Sequence, residues 1–148
     1  MGHSAGGQLA LCLAAHEPSV AQAISLAGVV DLQRCFELHL SHDAVVEFLG
    51  GKPADVSDHY READPLRLRI PRAIQVLMHG SADEDVPPEF SRHYFQEKKK
   101  TGENVSLMEI PKAEHLDLID PRSAAWPKVE GVVLKVLEGQ AIDAVPKN

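Results

Sequence analysis

Ser4 is the residue in this sequence whose surroundings most favour a chemical role. It stands in the pattern Gly2-x-Ser4-x-Gly6 near the start of the chain. In a nucleophile elbow with this pattern, the serine lies on a sharp strand-to-helix turn with strained backbone geometry, and glycine neighbours prevent collisions with the crossing backbone. The pattern therefore predicts that the Ser4 hydroxyl is exposed and can attack a carbonyl carbon.

An elbow needs a strand before the serine and a helix after it. Residues 8–16 are rich in strong helix formers and end shortly before Pro18, so they predict the helix. Only Met1 and Gly2 precede the His3-Ser4 pair, so we expect the preceding strand to be absent.

The rest of the chain alternates between strand and helix patterns. Apolar runs predict buried strands at residues 21–29, 73–80 and 105–111, and apolar residues at helical spacing predict helices at 89–100 and 123–138. Between the first two strands, residues 31–62 predict one or two short helices, interrupted by a Gly-Gly-Lys-Pro run at 50–53. This order is typical of an α/β fold with a parallel sheet and right-handed crossovers.

Two further candidates for chemistry follow predicted strands. Asp83 comes after the second strand and His115 after the third. Open α/β sheets place their sites at the carboxyl ends of the strands, where Ser4, Asp83 and His115 would all lie. Their chain order, Ser then Asp then His, is also the order of the α/β-hydrolase triad.

Three blocks of sequence resemble the C-terminal half of an α/β hydrolase, nearest the esterase, kynurenine-formamidase-like and prolyl-oligopeptidase-like branches. They are GHSAGG at 2–7, HGSADEDVP at 79–87 and EHLDLIDP at 114–121. The resemblance implies a partial α/β-hydrolase fold over residues 1–139, a parallel sheet with flanking helices whose N-terminal strands are missing. Residues 31–62 would be a helical insert or cap, and 140–148 a tail.

The resemblance also implies a role for each candidate. Ser4 would attack an ester or related amide carbonyl and form an acyl-enzyme, with His115 as general base and Asp83 as the acid that orients it. Asp85 is the rival acid, and the family block favours Asp83. The backbone N–H of Ala5 would be one oxyanion donor. The family's second donor has no counterpart in these residues, so we expect weak or no activity from this chain alone.

Composition limits the classes of partner and compartment. The 148 residues are 44% apolar and 25% charged with a net charge of −7, as in a soluble domain, and this charge disfavours nucleic acids and anionic membranes. The run Lys98–Lys100 is interpreted as the solvated end of a helix. No signal-like or membrane-length stretch is present, and Cys12 and Cys35 lack metal-ligand spacing, so we expect a cytoplasmic protein.

No cofactor or metal is expected, because His39, His42 and His59 have no partner carboxylates at a recognised metal spacing. The expected partner is a small-molecule acyl substrate, together with a possible second copy of the chain paired through an exposed sheet edge. A different class of function stays open, in which the chain is a non-catalytic half-domain that associates with another chain.

Overall fold

Four parallel strands form one sheet in the computed structural model, which describes residues 1–140. They are β1 (Gly2–His3), β2 (Gln22–Leu26), β3 (Ile74–Gly80) and β4 (Val105–Ile110). Their order in the sheet is their order in the chain. In the register of the pairs, His3 lies opposite Leu26, Leu26 opposite Met78, and Gly80 opposite Ile110.

Six α-helices accompany this sheet within the described residues. They are α1 (Ala5–His16), α2 (Leu32–Glu37), α3 (Ala44–Leu49), α4 (Ser57–Ala63), α5 (Glu89–Lys100) and α6 (Trp126–Leu137), and a short 3₁₀ helix spans Leu116–Leu118. The Asp31 carboxylate caps α2 by accepting a hydrogen bond from the N–H of Arg34 at 2.9 Å. Gly50 ends α3 in the left-handed conformation, with φ of 79°.

Two apolar clusters lie on the two faces of the sheet. One contains Leu77 of β3 with buried residues of α1 to α5, and the other contains Val76 and Met78 of β3 with buried residues of α6. Successive residues of a strand point to opposite faces, so one buried strand serves both clusters. This arrangement confirms the predicted parallel sheet with flanking helices.

Several local predictions are corrected by the structure. The expected absence of a strand before Ser4 is wrong, because Gly2–His3 pairs with β2 as a short parallel strand. Residues 31–62 contain three short helices, not one or two. Lys98 is buried rather than solvated, because its Nζ donates a hydrogen bond to the carbonyl of Leu68 and lies 3.9 Å from Glu103.

The remaining boundaries agree with the sequence to within a few residues. Helix α5 has the predicted bounds of 89–100, and the three predicted strands each contain an observed one. The predicted tail at 140–148 lies outside the described residues except for Gln140. None of the helices in residues 1–140 has the length and apolar character needed to cross a membrane.

Candidate active site

Ser4 lies on the tight turn between β1 and α1. Its backbone angles are φ 54° and ψ −120°, a conformation that costs a non-glycine residue free energy and persists only where the surroundings enforce it. The turn is held by the N–H of Ser4, which donates to the carbonyl of Leu26 at 2.9 Å, and by the Ser4 carbonyl, which accepts from Gly7. The side chain is half-buried and therefore accessible.

The glycines around Ser4 differ in whether a larger residue would fit in their place. A Cβ on Gly2 would lie 1.9 Å from the carbonyl oxygen of Gly6, and one on Gly7 would lie 2.9 Å from the Cα of Gly28. A Cβ on Gly6 would meet no atom within 4 Å. Close backbone approach therefore requires Gly2 and Gly7, whereas the second glycine of the sequence pattern is not sterically required.

Ala5 is the first residue of α1. The first N–H groups of a helix have no acceptor within the helix, and they lie at the positive end of its dipole. Ala5 is also exposed. Its N–H, directly after Ser4, can therefore donate to an oxygen that develops negative charge beside the serine.

Asp83 and His115 are brought together although 32 residues separate them. The Nδ1 of His115 lies 2.7 Å from the Oδ2 of Asp83. The Oδ1 of Asp83 accepts from the N–H groups of Asp85 and Val86 at 3.0 and 2.9 Å. Asp83 is buried and Asp85 is exposed, so Asp83 is the one of the two carboxylates that holds the imidazole.

Gly80 allows the two loops to meet. A Cβ on this residue, the last of β3, would lie 2.2 Å from the carbonyl oxygen of Ala113. That same carbonyl accepts a hydrogen bond from the N–H of Ala82 at 3.0 Å. The loop that carries Asp83 therefore packs backbone to backbone against the loop that carries His115.

His79 is a buried neighbour of this pair to which the sequence analysis gave no role. Its Nε2 lies 2.9 Å from the carbonyl of Val86, which can only accept, so Nε2 carries the proton and Nδ1 accepts from the Ser91 hydroxyl at 2.7 Å. The same Nε2 is 3.3 Å from the Oδ2 of Asp83. Burial lowers the pKa of His79, which favours this neutral form. Its presence in the block at 79–87 was the available signal.

His3 is the second contacting residue that the sequence analysis passed over. Its Nε2 lies 2.9 Å from the carbonyl oxygen of His115, and the centroids of the two rings are 4.4 Å apart. His3 directly precedes Ser4, so this contact joins the Ser4 turn to the His115 loop. The described residues show no direct hydrogen bond between the side chains of Ser4 and His115, a contact that in unliganded enzymes is often long and tightens with substrate.

An apolar cavity of about 230 Å³ opens beside Ser4. None of its lining residues is charged; they are Ser4, Ala5, Gln8, Leu9, Val29, Leu32, Cys35, Leu40, Ser41, Ala44, Val45, Phe48 and Val86. The Gln8 amide is already engaged with the carbonyl of Ala63 at 2.7 Å. Burial raises the pKa of the Cys35 thiol to about 11, so it is not a competing thiolate near neutral pH.

Among the described residues, one group of side chains has possible metal-ligand atoms close together. Ligand atoms of Asp83, Asp85 and His115 lie within 4.8 Å of one another. Both oxygens of Asp83 already accept hydrogen bonds, one of them from the Nδ1 of His115. Hydrogen bonds within the protein therefore account for the position of this carboxylate.

The family of the chain follows from a match over residues 1–128 to the model of the prolyl oligopeptidase family. The chain belongs to this family. It is thus a member of the serine hydrolases of the α/β-hydrolase type, which confirms the resemblance found in the three sequence blocks. No curated protein sequence is significantly similar to the chain.

Solved structures share this fold at low sequence identity. A puromycin-hydrolysing peptidase of Mycobacterium tuberculosis is 24% identical, with a TM-score of 0.71 over 88% of this chain and 20% of its own. A putative dipeptidyl aminopeptidase IV of Bacteroides ovatus is 13% identical, with a TM-score of 0.76 over 95% of this chain and 19% of its own.

A smaller enzyme, the esterase Est2 of Thermogutta terrifontis, is 24% identical with a TM-score of 0.67. The match covers 98% of this chain and 56% of the esterase. The chain thus spans between a fifth and just over half of the length of these three proteins.

Proposed function

We propose that this chain carries a Ser-His-Asp triad that cleaves an ester or related amide through an acyl-enzyme, with Ser4 as nucleophile. The observation that supports this most is the positive-φ backbone of Ser4 at the head of α1, at the carboxyl ends of the parallel strands, where the Asp83–His115 pair also lies. Strain of this kind is retained where it exposes a reacting group, and here it would make the Ser4 turn a nucleophile elbow.

Each of the four groups has a defined part in the proposed mechanism. The Ser4 Oγ attacks the carbonyl carbon while the Nε2 of His115 takes its proton, and the Ala5 N–H donates to the resulting oxyanion. His115 then returns the proton to the leaving group as the acyl-enzyme forms. The same imidazole then deprotonates a water molecule that attacks the acyl carbon, and it returns this proton to the Ser4 Oγ as the carboxylic acid leaves. Asp83 stabilises the imidazolium and fixes its tautomer through the 2.7 Å hydrogen bond.

The cavity beside Ser4 supports an uncharged, apolar group next to the scissile carbonyl. A dry apolar cavity of about 150 Å³ can hold benzene. The cavity here, at about 230 Å³, has room for a substituted phenyl ring or a branched aliphatic group. A charged substituent would lose its hydration there without a partner charge, at a cost of several kcal/mol.

Covalent labelling tests the proposal without requiring turnover. An alkyl fluorophosphonate should modify the 148-residue chain once, and peptide mass spectrometry should locate the label on Ser4. Ser4→Ala should abolish labelling, whereas Ser57→Ala, which removes an exposed hydroxyl on α4, should not change it. Labelling that persists in Ser4→Ala would refute the assignment, and a folded chain that is never labelled would favour the non-catalytic alternative.

Turnover is expected to be slow even where labelling succeeds. Ala5 is the one oxyanion donor that we assign in this chain, and loss of one donor typically lowers kcat by about 10²–10³-fold. A stoichiometric probe registers the nucleophile at rates that an esterase assay would miss. The two assays together therefore separate the identity of the nucleophile from the completeness of the site.

A further inference from the structure

His3 contacts His115 in two ways that the mechanism above does not use. Its Nε2 is 2.9 Å from the carbonyl oxygen of His115, and its ring lies against the His115 ring with centroids 4.4 Å apart and planes at 50°. The two residues are 112 positions apart in the chain. His3 therefore ties the short strand β1, which leads into Ser4, to the loop that carries the candidate base.

The hydrogen bond fixes the tautomer of His3. A carbonyl oxygen only accepts, so the Nε2 of His3 carries the proton and donates it. His3 is half-buried, and this burial lowers its pKa, although the hydrogen bond to the His115 carbonyl and the Asp83 charge act in the opposite direction. A neutral His3 beside His115 adds no positive charge that would oppose formation of the imidazolium.

We propose that His3 is a positioning residue that acts through His115, and this rests on the triad proposed above. The Asp83 hydrogen bond holds the His115 ring at Nδ1 and does not itself connect the ring to the strand that leads into Ser4. The His3 hydrogen bond holds the His115 backbone, and the ring contact limits rotation of the imidazole. Together they direct the Nε2 of His115 toward the Ser4 hydroxyl.

A purely structural role for His3 makes a different prediction. If His3 only anchors the loop, any variant that folds should react with the probe as the wild type does. If it aims the base, loss of the donor should lower the rate of the chemical step and leave probe binding unchanged, because a misplacement of about 1 Å can cost about 10²-fold in rate.

The experiment compares His3→Phe, which keeps a ring without the donor, with His3→Gln, which keeps a donor near the position of Nε2. The matched control is His16→Phe, at the exposed end of α1. The maximal rate of fluorophosphonate acylation and the half-saturating probe concentration are measured separately. We expect the maximal rate to fall about 10- to 100-fold in His3→Phe. His3→Gln should recover most of it, and the half-saturating concentration should not change.

If the chain reacts too slowly with the probe for rates to be measured, NMR spectroscopy provides a second test. The proton between the Nδ1 of His115 and Asp83 should give a downfield NMR resonance, which we expect to broaden or shift in His3→Phe and to return in His3→Gln. An unchanged rate and resonance in His3→Phe would overturn the proposal. Equal losses in both variants would also overturn it, because the donor that His3→Gln retains would then not restore the position of the base.

The two proposals fail in different ways. If Ser4→Ala is still labelled, the proposed triad is wrong, and the His115 resonance alone then decides whether His3 holds the imidazole. If Ser4→Ala abolishes labelling while both His3 variants react like wild type, the triad stands and the positioning role of His3 is refuted.

Discussion

The Oδ2 of Asp83 lies 2.7 Å from the Nδ1 of His115, while the carboxylate of Asp85, two residues later, is exposed. The difference arises in the turn after β3. There the N–H groups of Asp85 and Val86 both donate to the Oδ1 of Asp83, which fixes that carboxylate and leaves its second oxygen for the imidazole. The backbone N–H of Asp85 thus helps to hold the Asp83 carboxylate, while the side chain of Asp85 takes no part in this contact.

The first prediction separates these two carboxylates. Asp83→Asn should lower the maximal acylation rate of Ser4 by about 10⁴-fold, because an amide in place of the carboxylate favours the wrong imidazole tautomer. Asp85→Asn should change it less than threefold, because its backbone N–H is retained. Rates measured with a fluorophosphonate probe decide between them, and the reverse ranking would transfer the role of the acid to Asp85.

The second prediction concerns the glycines of the Ser4 turn. Gly2→Ala should unfold the turn or abolish labelling, because its Cβ would collide with the carbonyl of Gly6. Gly6→Ala should fold and be labelled, since its Cβ meets no atom within 4 Å. Circular dichroism melts and labelling rates measured side by side test this contrast. Equal damage from both substitutions would show that the turn differs from the one described.

The third prediction tests the cavity as the site for the apolar group. Ala44 lines it at the start of α3, and Ala44→Phe should fill part of the 230 Å³. Acylation by a fluorophosphonate with a bulky alkyl group should slow by about tenfold or more relative to one with a methyl group, since one methylene is worth about 1–3 kcal/mol in such pockets. Ala54→Phe, at an exposed turn, is the matched control. An unchanged preference in Ala44→Phe would place the apolar group elsewhere.

The fourth prediction follows from Asp64, a buried carboxylate at the end of α4. Its Oδ1 accepts from the N–H of Leu66, but its Oδ2 has no hydrogen-bond partner and lies 3.6 Å from Arg67. Burial, reinforced by the charge of Asp31, raises the pKa of Asp64 from 3.8 to about 6. Asp64 therefore favours folding most below about pH 4, and this contribution is lost as the pH rises through 6.

The measurement is the free energy of unfolding of the wild type and of Asp64→Asn from pH 4 to pH 7. At about 1.4 kcal/mol per pKa unit, the wild type should lose about 2 kcal/mol relative to the variant over this range, because part of the contribution is already lost at pH 4. Asp58→Asn, exposed on α4, is the control and should show a flat difference. A flat difference for Asp64→Asn as well would mean that the carboxylate is solvated.

The fold was largely predictable because its signals are local. The Gly, Pro and apolar runs that bound β3 and α5 are contiguous in sequence, and both elements lie where those runs indicate. The contacts of His3 and the burial of Lys98 were not predictable, because each depends on a partner that is distant in the chain, His115 for one and Leu68 for the other. A strand of two residues such as β1 has no periodicity to detect, and only its pairing with β2 defines it.

The last prediction concerns self-association through the β1 side of the sheet. On this side of the sheet, β1 pairs only with Ser25 and Leu26 of β2. The carbonyl of Leu26 faces the β1 side of β2, where it accepts a hydrogen bond from the N–H of Ser4. Backbone groups point alternately to the two sides of a strand, so those of Ile24 and Gln22 point to the same side as those of Leu26. Within residues 1–140 no strand pairs with Ile24 or Gln22 there, and such groups can pair with another chain.

We therefore expect the 148-residue chain to form dimers or larger species at micromolar concentration. Gln22→Pro should shift it toward monomer, because proline removes the N–H that faces this edge and leaves the pairing with β3 intact. Size-exclusion chromatography with light scattering measures the effect. Leu13→Lys is the comparison, since Leu13 is 57% exposed on α1 and tests apolar contact instead. A monomeric wild type, or association that yields to Leu13→Lys and not to Gln22→Pro, would refute pairing through the edge.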